Sequence, residues 1–133
     1  MGTAVDDVMT PDPMTLPPTA TVREAYALMT ERGFRHVPIA EGDVLLGIVS
    51  MTDIGHLGAR VPAILARPLH EVMTKNLITT TPGERIEVAA ATMASHKINC
   101  LLVVEGTRLA GIVTTYDLLD ALARRVRGGE SNT

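Results

Sequence analysis

Gly47-Ile48-Val49-Ser50-Met51-Thr52-Asp53 recurs in altered form as Gly111-Ile112-Val113-Thr114-Thr115-Tyr116-Asp117. In each copy an apolar strand runs into a hydroxyl residue, and a carboxylate follows three positions on, where a polar, helix-prone segment begins. A strand that ends at a helix start places a hydroxyl and an acid on one junction, and function is expected there.

The copies lie 64 positions apart, and the same offset aligns much more of the chain without a gap. Val8-Met9-Thr10 falls on Val72-Met73-Thr74, Thr15 on Thr79, Pro18 on Pro82, Ala25, Ala27 and Met29 on Ala89, Ala91 and Met93, and Glu41-Gly42 on Glu105-Gly106. The chain is an internal duplication. A unit of about 60 residues buries too little apolar surface to be secure alone. Two such units are therefore expected to pack face to face about a pseudo-twofold axis, with two related sites in the cleft.

Composition narrows the function. The 133 residues are 46% hydrophobic, enough for one core and too few for two large independent domains. A net charge of -3 argues against a broad nucleic-acid or membrane surface, either of which wants excess Lys and Arg. With no Trp and only Phe34, Tyr26 and Tyr116 as aromatics, a base-stacking platform is nearly excluded. The single cysteine, Cys100, rules out an internal disulfide and fits a reducing interior. The first residues have neither a basic segment nor an apolar run of signal length, and no stretch has the apolar length of a membrane span, so a cytoplasmic protein is expected.

Short helical turns are expected at Val5–Met9 and Leu69–Met73, and proline-bracketed extended pieces around Met14-Thr15-Leu16 and Leu77-Ile78-Thr79. Two amphipathic helices follow. Val22, Ala25, Tyr26 and Met29 stand at i, i+3, i+4 and i+7, and Ile86, Ala89, Ala90 and Met93 repeat the set. Thr21 and Glu24 make a capping box for the first; the second start is ambiguous, because Thr81-Pro82-Gly83-Glu84 offers a box four residues too early. Gly33 should close the first helix and Lys97 or Asn99 the second. Strand pairs are predicted at His36–Ala40 with Leu45–Ser50 and at Cys100–Val104 with Leu109–Thr114, with buried runs such as Leu101-Leu102-Val103-Val104. The domain organisation is then a first motif over 1–59, a linker over 60–67, a second motif over 68–127 and a disordered tail over 128–133.

This order, the Val-Met-Thr heads, the Arg-His-Val-Pro strand and the paired Gly-Ile-Val-Ser/Thr-x-x-Asp ends resemble the tandem CBS (cystathionine beta-synthase) domain pair. The resemblance covers about Val5 to Leu122 and implies an α+β, internally duplicated fold of two β-α-β-β-α units. It further implies adenosine-containing ligands such as AMP, ADP, ATP, NAD or S-adenosylmethionine in the clefts, AMP foremost. By the same resemblance Asp53 and Asp117 match the family's ribose-binding acid, Ser50 and Thr114 its phosphate-side hydroxyl, with Thr52 and Thr115 beside them. The base pocket falls on Met14, Thr15, Arg35, His36, Val37 and Pro38, and on Ile78, Thr79, Asn99, Cys100 and Leu101. The chemistry suits these roles: a carboxylate accepts from both ribose hydroxyls, and a hydroxyl at a helix N-terminus meets phosphate.

Plainer roles compete. Ser50-x-x-Asp53 and Thr114-x-x-Asp117 are also ordinary capping boxes, and capping and ribose binding could alternate between empty and filled states. Arg35 is a candidate phosphate contact, but its counterpart is Asn99, so the sites need not be equivalent. The small supply of basic residues favours a monophosphate or diphosphate over a triphosphate. His96 and Cys100 stand alone as conceivable metal ligands and read instead as a surface histidine and a buried thiol. Met29, Met51, Met73 and Met93 read as core filling. There is no P-loop, no dinucleotide fingerprint and no assignable general base for Ser50. The expectation is a stand-alone regulatory module without enzymatic activity or a required cofactor, associating as a homodimer through helix faces and signalling to an effector protein. The competing expectation is a ligand-free structural or dimerisation module.

Overall fold

The computed structural model describes residues 2–132, with side chains as far as Gly128. In chain order it contains α1 (Val5–Val8), β1 (Thr10–Pro11), α2 (Val22–Arg32), β2 (His36–Glu41), β3 (Val44–Ser50), α3 (Met51–Gly58), a 3-10 turn (Ile64–Ala66), α4 (Leu69–Val72), β4 (Thr79–Thr80), α5 (Ile86–His96), β5 (Cys100–Glu105), β6 (Arg108–Thr114) and α6 (Thr115–Asn132). The duplication carries through to the residue. β2 and β5, β3 and β6, and α2 and α5 keep the offset of 64, and the hairpins share a register in which His36 faces Ser50 and Cys100 faces Thr114. Even the bulge recurs, after Ile39 and after Val103. Each hairpin turns at a glycine of positive φ, Gly42 at 64° and Gly106 at 65°, a conformation without steric cost only for glycine.

The chain divides into two compact units, and these are not the sequence repeats. A central unit is Met14–Leu77; a terminal unit joins Met1–Pro13 to Ile78–Thr133. The heads of the two repeats are exchanged. In the central unit Leu69 N–H donates to the Ala20 carbonyl (2.8 Å) and Val22 N–H to that of Arg67 (2.9 Å). In the terminal unit Val5 N–H donates to the Glu84 carbonyl (2.7 Å) and Ile86 N–H to that of Thr3 (3.1 Å). Every atom of the second set sits 64 positions from its counterpart in the first, with the repeats swapped.

Each unit has its own aliphatic core. In the central unit Val22, Ala25 and Met29 of α2 pack with Val37, Ile39 and Val49 of the hairpin, Ile54 of α3, and Leu69. Met51 and Met73 pack against the rim, the filling role expected of them. The segment expected to be a linker contributes as well, through Ile64. In the terminal unit Ala89 and Met93 of α5 pack with Leu101, Val103, Ala110 and Val113, and Val5 from the chain's beginning completes the cluster at 0% exposure. Burying a side chain of that size stabilises by about 1.5–3 kcal/mol, so the exchanged heads belong to the structural framework.

Helix ends follow local chemistry. Thr21 Oγ1 accepts from Glu24 N–H (3.2 Å) at the start of α2, and Gly33, at φ 75°, closes it. The ambiguous start of α5 falls at Ile86 with Arg85 as its cap residue; Thr81 and Glu84 form a turn before it, Glu84 N–H donating to the Thr81 carbonyl (3.2 Å). Lys97 takes the left-handed closing position at φ 55°. The tail expected to be disordered from Gly128 is helical as far as Asn132, continuing α6, whereas Thr133, the end of that expectation, lies outside the described residues. Among the described residues no helix is long and apolar enough to cross a membrane.

Candidate functional site

In both units the hairpin brings the start of one strand beside the end of the other, where a helix begins. In the central unit His36 pairs with Ser50, and Met51, the first residue of α3, donates its N–H to the Arg35 carbonyl (2.9 Å). Leu16 N–H donates to the Pro38 carbonyl (3.2 Å), which sets Thr15 next to the same strand start. Met14, Thr15, Arg35, His36, Pro38, Ser50, Thr52 and Asp53 are thereby gathered on one end of the unit. In the terminal unit Cys100 pairs with Thr114, Thr115 N–H and Oγ1–H donate to the Asn99 carbonyl (2.9 and 3.2 Å), and Thr79 runs parallel to Leu102. That gathers Ile78, Thr79, Asn99, Cys100, Thr114, Thr115 and Asp117. Val37, Pro38 and Leu101 differ from the rest, because all three are fully buried, Val37 and Leu101 as members of the two cores.

The two junctions are not alike in their hydrogen bonds. Ser50 Oγ accepts from Asp53 N–H (3.0 Å), and the Asp53 carboxylate has no hydrogen-bond partner among the described residues. Thr114 and Asp117 form a reciprocal box: the carboxylate accepts from Thr114 N–H (2.8 Å) and from Thr114 Oγ1–H (3.1 Å), while Thr114 Oγ1 accepts from Asp117 N–H (3.3 Å). The capping role weighed from the sequence is thus complete at Asp117 and half made at Asp53.

Charge differs as well. Burial holds the His36 imidazole below its ordinary range, the Arg35 charge pushes the same way, and Asp53 opposes both. At the equivalent place Cys100 is buried, and burial pushes its thiol up to about 11. Among the described residues no group of three or more His, Cys, Asp or Glu could hold a metal ion.

One feature left no mark in the repeat pattern. In the terminal unit α5 and α6 border an open groove of about 640 Å³ lined by Ala90, Met93, Ala94, Leu118, Leu119 and Leu122, with Asn99 and Thr115 at one end. Its α6 side is apolar, with Leu119 59% and Leu122 54% exposed, and Val126, 58% exposed, follows one turn on. The 3.6-residue spacing of these side chains was readable, but nothing in the sequence said that this face stays uncovered.

The duplicated hairpin-and-helix units with a hydroxyl and an acid at each junction define a known class. The family model for the CBS domain matches residues 5–57 and 69–124, so the chain belongs to the CBS-domain family as a tandem pair. It is 36% identical over 118 residues to the homoserine O-acetyltransferase of Methanohalobium evestigatum; the match covers 87% of this chain but only 23% of that protein. Among solved structures it is similar to a Vibrio cholerae protein named AcuB, with a TM-score of 0.88, 34% identity and 98% of each chain covered. It is also similar to the CBS domain pair of protein MJ0100, crystallised with 5'-methylthioadenosine and S-adenosyl-L-methionine, with a TM-score of 0.82, 29% identity, and 98% and 99% of the two chains covered.

Proposed function

We propose that the chain is a regulatory module that binds adenosine nucleotides of the AMP, ADP and ATP class, AMP foremost, and passes the binding event to a partner protein by a change of conformation. The observation that carries this reading is the repeated junction: in each unit a ribose-competent carboxylate, Asp53 or Asp117, stands one helical turn from a hydroxyl and beside the opening of a buried strand. The related MJ0100 pair, crystallised with 5'-methylthioadenosine and S-adenosyl-L-methionine, supports a ligand that contains adenosine. Backbone groups at the two strand starts would read the base edge, Met14 and Ile78 would cover the ring, and Arg35 would meet phosphate. A ligand shifts the conformation only by as much as it prefers one arrangement over another, so signalling requires unequal affinity for two states.

The second reading, assembly without a ligand, is favoured by the apolar groove between α5 and α6. A homodimer formed through that face is compatible with both readings. Thermal unfolding with AMP, ADP, ATP, NAD and S-adenosylmethionine in turn separates them. A ligand present at a hundred times its dissociation constant adds about 2.7 kcal/mol, a rise of several degrees. No rise with any of the five would leave assembly as the function.

A further inference from the structure

Resting on the adenosine reading just given, we propose that the two half-sites divide their ligands by charge: the Asp53 half prefers a phosphorylated adenosine and the Asp117 half an adenosine without a negative 5' group. Two independent observations carry this. The first is the supply of donors for a phosphate. In the central unit the Ser50 hydroxyl accepts from Asp53 N–H and donates to nothing among the described residues, so its proton is open to a phosphate oxygen. In the terminal unit the corresponding donors, Thr114 N–H and Oγ1–H, are both taken by the Asp117 carboxylate. A phosphate arriving there would have to displace a carboxylate and then lie against it.

The second observation is the distribution of charge. Arg35 is exposed, opens the strand that faces Ser50, and has no ion-pair partner among the described residues. An uncommitted guanidinium is a strong phosphate ligand. Its counterpart is the neutral Asn99, followed by a buried thiol. Most other cations of the terminal unit are committed to carboxylates. Arg85 and Arg125 pair with Glu87, Arg108 with Glu105 and Arg124 with Asp120; Arg127 is exposed farther along α6, and Lys97 lines the α5–α6 groove that Asn99 and Thr115 also line, as an exposed ammonium and not a guanidinium at the strand start. At whole-unit scale the acidic and basic residues of Met14–Leu77 balance, so the chain's net charge of -3 lies in the terminal unit.

The test uses the full chain in two single-site variants, titrated calorimetrically with AMP and with adenosine, which differ only by the phosphate. Asp117→Ala leaves the central half-site to report, and Asp53→Ala the terminal one. AMP is expected to bind Asp117→Ala at least tenfold tighter than adenosine does, and adenosine to bind Asp53→Ala at least as tightly as AMP. Adding the exposed change Arg35→Asn to Asp117→Ala should erase the preference for AMP while adenosine binding holds. The same preference in both single variants, or an AMP preference that survives Arg35→Asn, would overturn the division of ligands while leaving the adenosine reading intact. If the parent protein binds neither compound nor any of the five ligands above, the adenosine reading fails and this inference with it.

Discussion

A Cβ built on Gly47 would stand 2.7 Å from the thioether sulfur of Met73 and 2.9 Å from the Thr74 carbonyl oxygen. The relation is repeated at Gly111, where the sulfur of Met9 and the carbonyl of Thr10 lie 2.5 and 2.8 Å from the same construction. Thus the Gly of one repeated signature is the seat of the Met-Thr head of the other repeat, and the two signatures are one packing device. A side chain could swing away; a backbone carbonyl in a strand pairing cannot. Gly47→Ala and Gly111→Ala should each destabilise by about 1–3 kcal/mol through overpacking. Urea midpoints measure this, with Gly55→Ala as control: nothing lies within 4 Å of a Cβ there, and the helical position should gain stability from alanine.

The exchanged heads predict where damage appears. Val5 belongs by sequence to the first repeat, yet it is buried among Ala89, Met93, Leu101 and Val113. Val5→Ala should cost about 1.5–3 kcal/mol, and hydrogen exchange should speed first in α5, β5 and β6. Faster exchange confined to α2, β2 and β3 would contradict the exchange of heads.

His36 gives a pH dependence with a definite sign. Its folded-state value lies below the ordinary 6.5, chiefly through burial and next through Arg35. As pH falls below 6.5 the unfolded chain takes up this proton and the folded chain does so only later, so stability is present above that pH and is lost on the way down to the folded value. Compared with the parent, His36→Gln should lose less stability between about pH 7 and 5.5. Parallel curves for the two proteins over that interval would remove His36 as the cause.

The apolar face of α6 bears on assembly. Leu119, Leu122 and Val126 recur at helical spacing, and among the described residues none fills the groove beside them. Placing a charge there, as in Leu122→Asp, should convert the expected homodimer to a monomer in sedimentation while the far-ultraviolet spectrum is unchanged. A parent that sediments as a monomer at every concentration would withdraw the homodimer.

How far the sequence carried these conclusions depended on whether a feature is local. The helix faces, both hairpins and the glycines at their turns were legible, because period and φ preference act over a few residues, and the offset of 64 then confirmed each element by its twin. The strand-to-helix junctions holding Asp53 and Asp117 were legible for the same reason. The exchange of heads was not, since Val8-Met9-Thr10 and Val72-Met73-Thr74 are identical and either could seat on either glycine. The start of α5 was obscured by Thr81 and Glu84, which spell a capping box but form a turn; the backbone of Thr3 meets the first N–H of that helix from a distance in sequence. At the other end, Gly128 and Gly129 argued against helix, yet α6 continues through them.

The unequal caps allow a test that needs no ligand. Both carboxylates sit in the first turn of a helix, where negative charge is favoured by a few tenths of a kcal/mol at an exposed site. Asp117 does more: it accepts from Thr114 N–H and Oγ1–H at the start of α6. Asp53 accepts no hydrogen bond from a described residue, and the bond that caps α3 runs from its backbone to Ser50 Oγ, which a substitution at the side chain leaves in place. In the empty protein Asp117→Ala should therefore cost about 1 kcal/mol more than Asp53→Ala, while Ser50→Ala should cost about as much as Asp117→Ala. Paired urea titrations of the three variants decide it. Equal losses at Asp53 and Asp117 would mean that the acids cap alike, and the donor part of the argument for unequal half-sites would then fall, leaving only the contrast between Arg35 and Asn99.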